Sequence, residues 1–298
     1  MAAILGMGVA TLDIVNEVPA YPPEDGEVRA ENQRLRRGGN AANTLEVLAQ
    51  MGHGCHWAGV WADESDGRWI VADLEARGVG TETGIKVAPG KSPTSYITLA
   101  GDTGSRTIVH FRDLPELRAD DLAAIDLAAY RWIHLEARPN TSEISRMQHL
   151  IRERSPGALI SLEVEKPREG LSHCLHAPDV VLFAGDYARG QGFDGPEAFL
   201  RSLDPSAVPG LKVCTWGEEG AAALDNAGRM HRAGAHPPAR VVDTVGAGDT
   251  FNAGLIDALI DHRPVAQALE AGARLAGRKC GRLGLDGVAT ARDGSFNP

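Results

Sequence analysis

Residues 243–254, DTVGAGDTFNAG, decide how the chain is read. Three glycines, two aspartates and two threonines run into an apolar segment in which Ala247, Phe251, Leu255 and Leu259 recur every four residues. That spacing keeps them on one slowly drifting face and predicts a helix over about 246–260 with that face in the core. Where a chain turns into a helix, the N–H groups of the first turn lack partners, and the helix adds roughly half a positive charge there. Gly246 and Gly248 let a phosphate approach such an end without side-chain obstruction, so the Gly246, Ala247 and Gly248 amides form a candidate anion hole. Asp249 is the odd member. A carboxylate in the first turn can merely complement the dipole, or it can accept a proton from an attacking hydroxyl beside the anion site. Phosphoryl transfer needs that pairing of amides and an in-line base.

A second glycine pair enters a helix at residues 36–52, RRGGNAANTLEVLAQMG. Asn40 and Asn43 lie three apart on one face of its first turn, and each carries a donor and an acceptor, which suits a polyhydroxylated ligand. Ordinary capping by Asn40 is the other reading of the same residues. Asp13 follows the first strand, and Asp25 falls in the stretch read below as part of a lid. Arg138 follows the strand RWIHLEA, and Lys166 follows LISLEVE. The carboxyl ends of strands in open α/β sheets converge on the ligand crevice, although each of these charges also reads as a solvated surface group.

Working outward, short apolar runs (AAILGMGV, CHWAGV, RWIHLEA, LISLEVE, DVVLFAG, LKVCTWG) alternate with helical patterns such as DGRWIVADLEARG and TSEISRMQHLIRER. Strands without strict alternation are buried on both faces, so the pattern is an α/β fold, a doubly wound, mostly parallel sheet flanked by helices on both faces. A last helix is expected over about 265–280. Two stretches, about 13–37 and about 85–111, break the alternation. In the second, SYITLA and RTIVHF flank the turn residues GDTGS. They predict a small β-sheet lid on a single domain spanning 1–298.

The other glycine-rich places fail as nucleotide motifs. Gly6 and Gly8 follow the first strand, but Thr11 stands where a dinucleotide fingerprint has its third glycine. In GIKVAPGKS, residues 84–92, five residues rather than four separate the glycines of a would-be P-loop, and no helix pattern follows.

The chain has 298 residues, 43% of them hydrophobic, and a net charge of −10. That charge argues against general affinity for nucleic acid or anionic lipid. Cys55, Cys174, Cys214 and Cys280 are too scattered for a disulfide framework or a zinc site and read as reduced thiols. MAAILGMGVA lacks the basic start of a signal peptide, and no apolar run approaches the roughly 20 residues that span a bilayer, so a cytoplasmic location is expected. Neither metal-ligand spacing nor a hydrolytic triad is visible.

The pairing of RRGGNAANTLEVLAQMG with DTVGAGDTFNAG resembles the two signature motifs of the PfkB, or ribokinase-like, carbohydrate kinase family. The resemblance runs through YPPEDGEVR, QRLRRGGNAAN, SRTIVHF, RWIHLEAR, LEVEKPRE, TWGEEGAAAL, ARVVDTVGAGDTFNA and AGRKCG, and points to the ketohexose-phosphorylating branch. It implies a ribokinase-like fold and an ATP-dependent enzyme that phosphorylates a primary hydroxyl of a ketohexose, D-fructose at carbon 1. Asp249 is then the base, with Gly246, Ala247 and Gly248 around the moving phosphoryl group. Asp13, Asp25, Gly39, Asn40 and Asn43, with Arg138 and Lys166, would hold the sugar, while Arg106, Gly217, Glu218, Glu219 and Gly220 would meet ATP.

The resemblance also implies Mg2+, a monovalent cation such as K+, and a homodimer clasped through the lid. Many members carry Asn-x-x-Glu near the metal. Here the corresponding stretch reads GDYARGQGF, so no metal ligand is assigned. Two alternatives stay open at this point: a kinase for another sugar, sugar acid or nucleoside, and a sugar or nucleotide sensor without catalysis.

Overall fold

The protein was analysed as a computed structural model, and residues 1–289 are described. Its strands are β1 (Ala3–Met7), β2 (Thr11–Val18), β3 (Asn32–Gly38), β4 (Gly54–Ala58), β5 (Val60–Ala62), β6 (Val79–Gly80), β7 (Ile85–Val87), β8 (Lys91–Ala100), β9 (Arg106–Asp113), β10 (Trp132–Glu136), β11 (Leu159–Val164), β12 (Val180–Phe183), β13 (Leu211–Thr215), β14 (Ala221–Leu224) and β15 (Met230–Ala233). Its helices are α1 (Asn40–Gln50), α2 (Ser65–Ala76), α3 (Thr141–Arg154), α4 (Gly185–Gly190), α5 (Pro196–Ser202), α6 (Ala247–Ile260) and α7 (Val265–Cys280).

The main sheet runs β6-β4-β1-β10-β11-β12-β13-β14-β15, parallel as far as β13 and antiparallel over the last two strands. Its central strands are apolar on both sides because helices cover both faces. On β10 the alternation sends Trp132 into the core shared with α1, α6 and α7, and sends Ile133 and Leu135 into the opposite core, where Ile144, Met147 and Ile151 of α3 pack. Cys55, Cys174 and Cys214 are buried free thiols, and burial pushes Cys55 and Cys214 up to about 12, so they are unreactive fillers.

A second sheet, β3-β2-β8-β9, stands apart from the main one. It contains both stretches that break the sequence pattern, but its boundaries differ from those expected. The strands of the first stretch are β2 and β3, and the segment between them is loop. In the second, β7 pairs with β5 in a separate two-stranded sheet, and the lid strand begins only at Lys91. The Pro89-Gly90 turn separates the two pairings, since proline removes a ladder donor. The helix over 246–260 begins at Ala247 with Gly246 as its cap, and α7 matches the expected range.

Candidate active site

Two helix starts meet at the carboxyl ends of β1, β10 and β11. The first depends on Gly39, whose φ of 107° places it where L side chains are strained; a Cβ there would lie 1.9 Å from the Val9 carbonyl oxygen. That turn swings the chain from the lid strand β3 into α1 and presents Asn40 and Asn43. The second start depends on Gly246, with φ of 83°.

Asp249 lies in the first turn of α6 and is only 6% exposed. Its Oδ2 accepts from Asn43 Nδ2 at 2.7 Å, and its carbonyl accepts from Thr44 Oγ1 at 3.3 Å. Burial raises its pKa well above the usual carboxylate range, and the negative charge of Glu163 adds to that, while the Asn43 bond opposes it. A carboxylate poised in this way is a competent base for a hydroxyl.

The amides beside it are not equivalent. Ala247 N–H donates to the Thr244 carbonyl at 3.2 Å, whereas the Gly246 and Gly248 amides have no acceptor among the described residues. A Cβ on Gly248 would meet nothing within 4 Å, so open space faces that glycine. The approach to the loop is fixed by Asp243, which accepts from Val245 N at 3.0 Å and Gly284 N at 3.1 Å. Lys279, fully buried on α7, reaches its carbonyl at 2.7 Å and its carboxylate at 2.9 Å. Arg36 reaches the same carboxylate from β3 at 3.1 Å, which ties the lid to the glycine loop.

A cleft of about 390 Å³ lies between the lid and these helix starts; Asp13, Gly38, Asn43, Asp243 and Gly246 are among its lining residues. Asp13 accepts from Thr11 Oγ1 at 3.1 Å. Asn40 donates to Glu163 at 3.3 Å and to Glu165 at 3.2 Å, and Lys166 stands 3.6 Å from Glu165. Arg138 and Lys166 are not among the residues that line this cleft; Arg138 lies in a separate small pocket with Glu116, Glu136 and Asn140. Arg138 is not free within it: Glu116 holds it at 3.1 Å and Glu136 at 3.3 Å.

The remaining candidates sit elsewhere. Asp25 is exposed in the loop between β2 and β3, with φ of 59°, and does not line the cleft. Arg106 is exposed at the start of β9, four residues and roughly 13 Å along the strand from His110. Gly217, Glu218, Glu219 and Gly220 form a tight turn after β13, in which Gly220 accepts from Trp216 N at 2.7 Å. None of them lines the cleft.

Glu136, Glu163, His134 and Lys279 escaped the sequence reading. The first three lie inside runs taken as buried strands. A signal was present, since HLE and SLE bring a carboxylate to matching places near the ends of two strands that prove to be neighbours, with Glu136 opposite Glu163.

Residues 7–290 match the pfkB family carbohydrate kinase pattern. Ketohexokinase of Mus musculus is 38% identical over 292 residues, covering 96% of this chain and 98% of that protein. The ATP-dependent ribose-1-phosphate kinase of Halopiger xanaduensis is 28% identical, covering 95% of this chain and 94% of that one. The structure of Arabidopsis thaliana ribokinase complexed with ribose and ATP shares the fold at a TM-score of 0.83 and 20% identity, covering 97% of this chain and 96% of that one. The buried carboxylate at the glycine-lined helix start thus sits in a ribokinase-like fold, and the chain belongs to the pfkB family of carbohydrate kinases.

Proposed function

We propose that this carbohydrate kinase transfers the γ-phosphoryl group of ATP to the primary hydroxyl at carbon 1 of a ketohexose, D-fructose, giving fructose 1-phosphate. The observation that carries the reading is Asp249, buried at the start of α6 beside outward amides and bonded to Asn43. In this reading Asp249 takes the hydroxyl proton, and the Gly246 and Gly248 amides face the moving phosphoryl group. Ala247 joins them if its bond to Thr244 opens. Asp13, Gly39, Asn40 and Asn43 hold the sugar, with Arg138 and Lys166 as further contacts. The 38% identity to a ketohexokinase supports the choice of sugar.

ATP is assigned to the side of the cleft leading to the 217–220 turn. Among the described residues no group of three His, Cys, Asp or Glu is placed to hold a metal ion, which suits a Mg2+ that arrives on the nucleotide and keeps its waters. A monovalent cation such as K+ remains part of the reading. The lid presents Leu35, Tyr96, Val109 and Phe111 on one face at 49–65% exposure, an apolar face that a second lid would cover in a homodimer. Such a clasp would also give the exposed Asp25 and Arg106 something to meet. No described helix is long and apolar enough to cross a membrane, and a cytoplasmic site of action is proposed.

The alternative reading is a different acceptor, for which the name of the Halopiger relative offers an example. The arginines that line the cleft, Arg34, Arg36, Arg37 and Arg77, are each paired with a carboxylate and leave no free cationic wall. The deciding experiment is a phosphorylation screen over D-fructose, other ketoses, ribose, ribose 1-phosphate, 2-keto-3-deoxygluconate and adenosine, with product positions read by NMR. Efficient fructose 1-phosphate formation is expected. An inert fructose beside another efficient acceptor would overturn the sugar assignment, and binding without ADP release from any acceptor would restore the sensor reading.

A further inference from the structure

A buried arginine on the lid stands behind the residue that touches Asp249. Strand β3 places Arg37 opposite Leu12 of β2, which is only 4% exposed, so both side chains lie on the inner face of the lid. The guanidinium is engaged in three directions. Nε donates to Asp73 Oδ2 on α2 at 3.1 Å, Nη2 donates to Glu46 on α1, and Nη1 donates to Asn43 Oδ1 at 2.9 Å. Arg77, just past the end of α2, grips the same two carboxylates, Asp73 at 3.0 Å and Glu46 at 2.9 Å. Lid strand and two helices thus converge on one buried fork.

That fork decides how the Asn43 amide lies. A guanidinium carries donors and no acceptor, so the end of the amide that touches Arg37 must be the oxygen. The other end is then the NH2 group, and it reaches Asp249 Oδ2 at 2.7 Å. Arg37 excludes the reversed amide whatever the protonation of Asp249. A reversed amide would set Oδ1 against the carboxylate and turn N–H toward a buried cation. Asn43 is 7% exposed, which keeps bulk water from making good either loss. Nδ2 still has a second hydrogen for a ligand oxygen.

We propose that Arg37 is a positioning residue: through its fork, lid strand β3 locks the Asn43 amide with its nitrogen toward Asp249 and so favours the ionised carboxylate that accepts the substrate proton. The proposal rests on the reading of Asp249 as the base. Burial, and then the charges of Glu163, Glu136 and Glu165, disfavour the ionised form of Asp249, and the Asn43 bond works against them. The preceding lid residue, Arg36, pairs with Asp243 of the glycine loop at 3.1 Å, so consecutive residues of one strand reach both helix starts.

The test separates the charge of Arg37 from its fork. Arg37→Lys keeps a cation beside Glu46 and Asp73 but has one nitrogen where arginine has three, so the ammonium stays with the carboxylates and releases Asn43. In free enzyme the 13C midpoint of the Asp249 carboxyl is expected to rise by about half a pH unit or more over the wild type, the worth of one weakened hydrogen bond. In an Asn43→Ala background the same lysine substitution should add nothing. An unmoved midpoint in Arg37→Lys, or a shift of full size without Asn43, overturns the proposal. A third measurement needs no variant: in the wild type the Asn43 Nδ2 protons should follow the Asp249 titration, and protons that ignore it mean a reversed amide and overturn the proposal. With D-fructose and MgATP the acid limb of kcat/KM should rise with the midpoint while the KM for ATP holds. A raised midpoint beside an unmoved acid limb leaves the positioning intact and removes Asp249 as the base.

Discussion

Asn43 donates to the Asp249 carboxylate across 2.7 Å while its own Oδ1 accepts from Arg37 at 2.9 Å. Arg37 is held in turn by Asp73 at 3.1 Å and by Glu46, so the asparagine amide is oriented from behind. A residue read from sequence as a sugar contact is therefore also the group that orients the Asp249 carboxylate, across 206 positions of chain.

Replacing Asp249 by Asn preserves shape but removes the proposed proton acceptor. Turnover should fall about a hundredfold or more, in line with general-base losses of roughly 10²–10⁴, with ATP affinity and melting temperature close to the wild type. Coupled ADP release and calorimetry check it; near-normal turnover would remove Asp249 from its role.

Asn43→Ala takes away the bond that favours the ionised form of Asp249. Because the base must be ionised to act, a higher pKa costs activity on the acid side, and the acid limb of kcat/KM should move upward. Profiles of the variant and the wild type measured in parallel provide the comparison.

Lys279→Met leaves Asp243 without its buried cation and frees the loop that leads to the amides. Losing one partner of a buried pair costs about 3–5 kcal/mol. Urea unfolding should show a loss of that order, and turnover should drop further than stability alone explains. A variant as stable as the wild type would show that the loop is held by its backbone bonds instead.

The buried His134 is held down at about 4 from an ordinary 6.5, so between these values the unfolded chain binds the extra proton and stability falls as pH falls. The full effect is about 3 kcal/mol. The raised carboxylates Asp249 and Glu163 act in the opposite sense, which makes the difference from a His134→Gln variant the informative quantity. Across pH 6.5 to 4 the wild type should lose stability relative to that variant by about this amount; parallel unfolding curves would mean that His134 is already protonated or hydrated in the native state.

The doubly wound sheet was legible because its central strands are apolar on both faces and its long helices keep their period, both of which are local properties of the chain. The lid was legible as extra strands, but its edges were not: the same chain around residues 85–92 supports either pairing, and the Pro89-Gly90 turn resolves it in space. Asp249 and its glycines could be read because an anion site at a helix start is built from consecutive residues. Glu163 could not, because one carboxylate near the end of an apolar strand has no meaning until the strand beside it is known.

By itself, then, the sequence determined the layers, the two glycine-led helix starts and the carboxylate placed at one of them, since each is encoded within a turn or two of chain. Only the tertiary structure decided that Asn43 aims Asp249, that Lys279 and Arg36 meet at Asp243, and that Glu163 lies between Asn40 and His134. Those relationships join residues 29 to 243 positions apart, which only packing brings within reach.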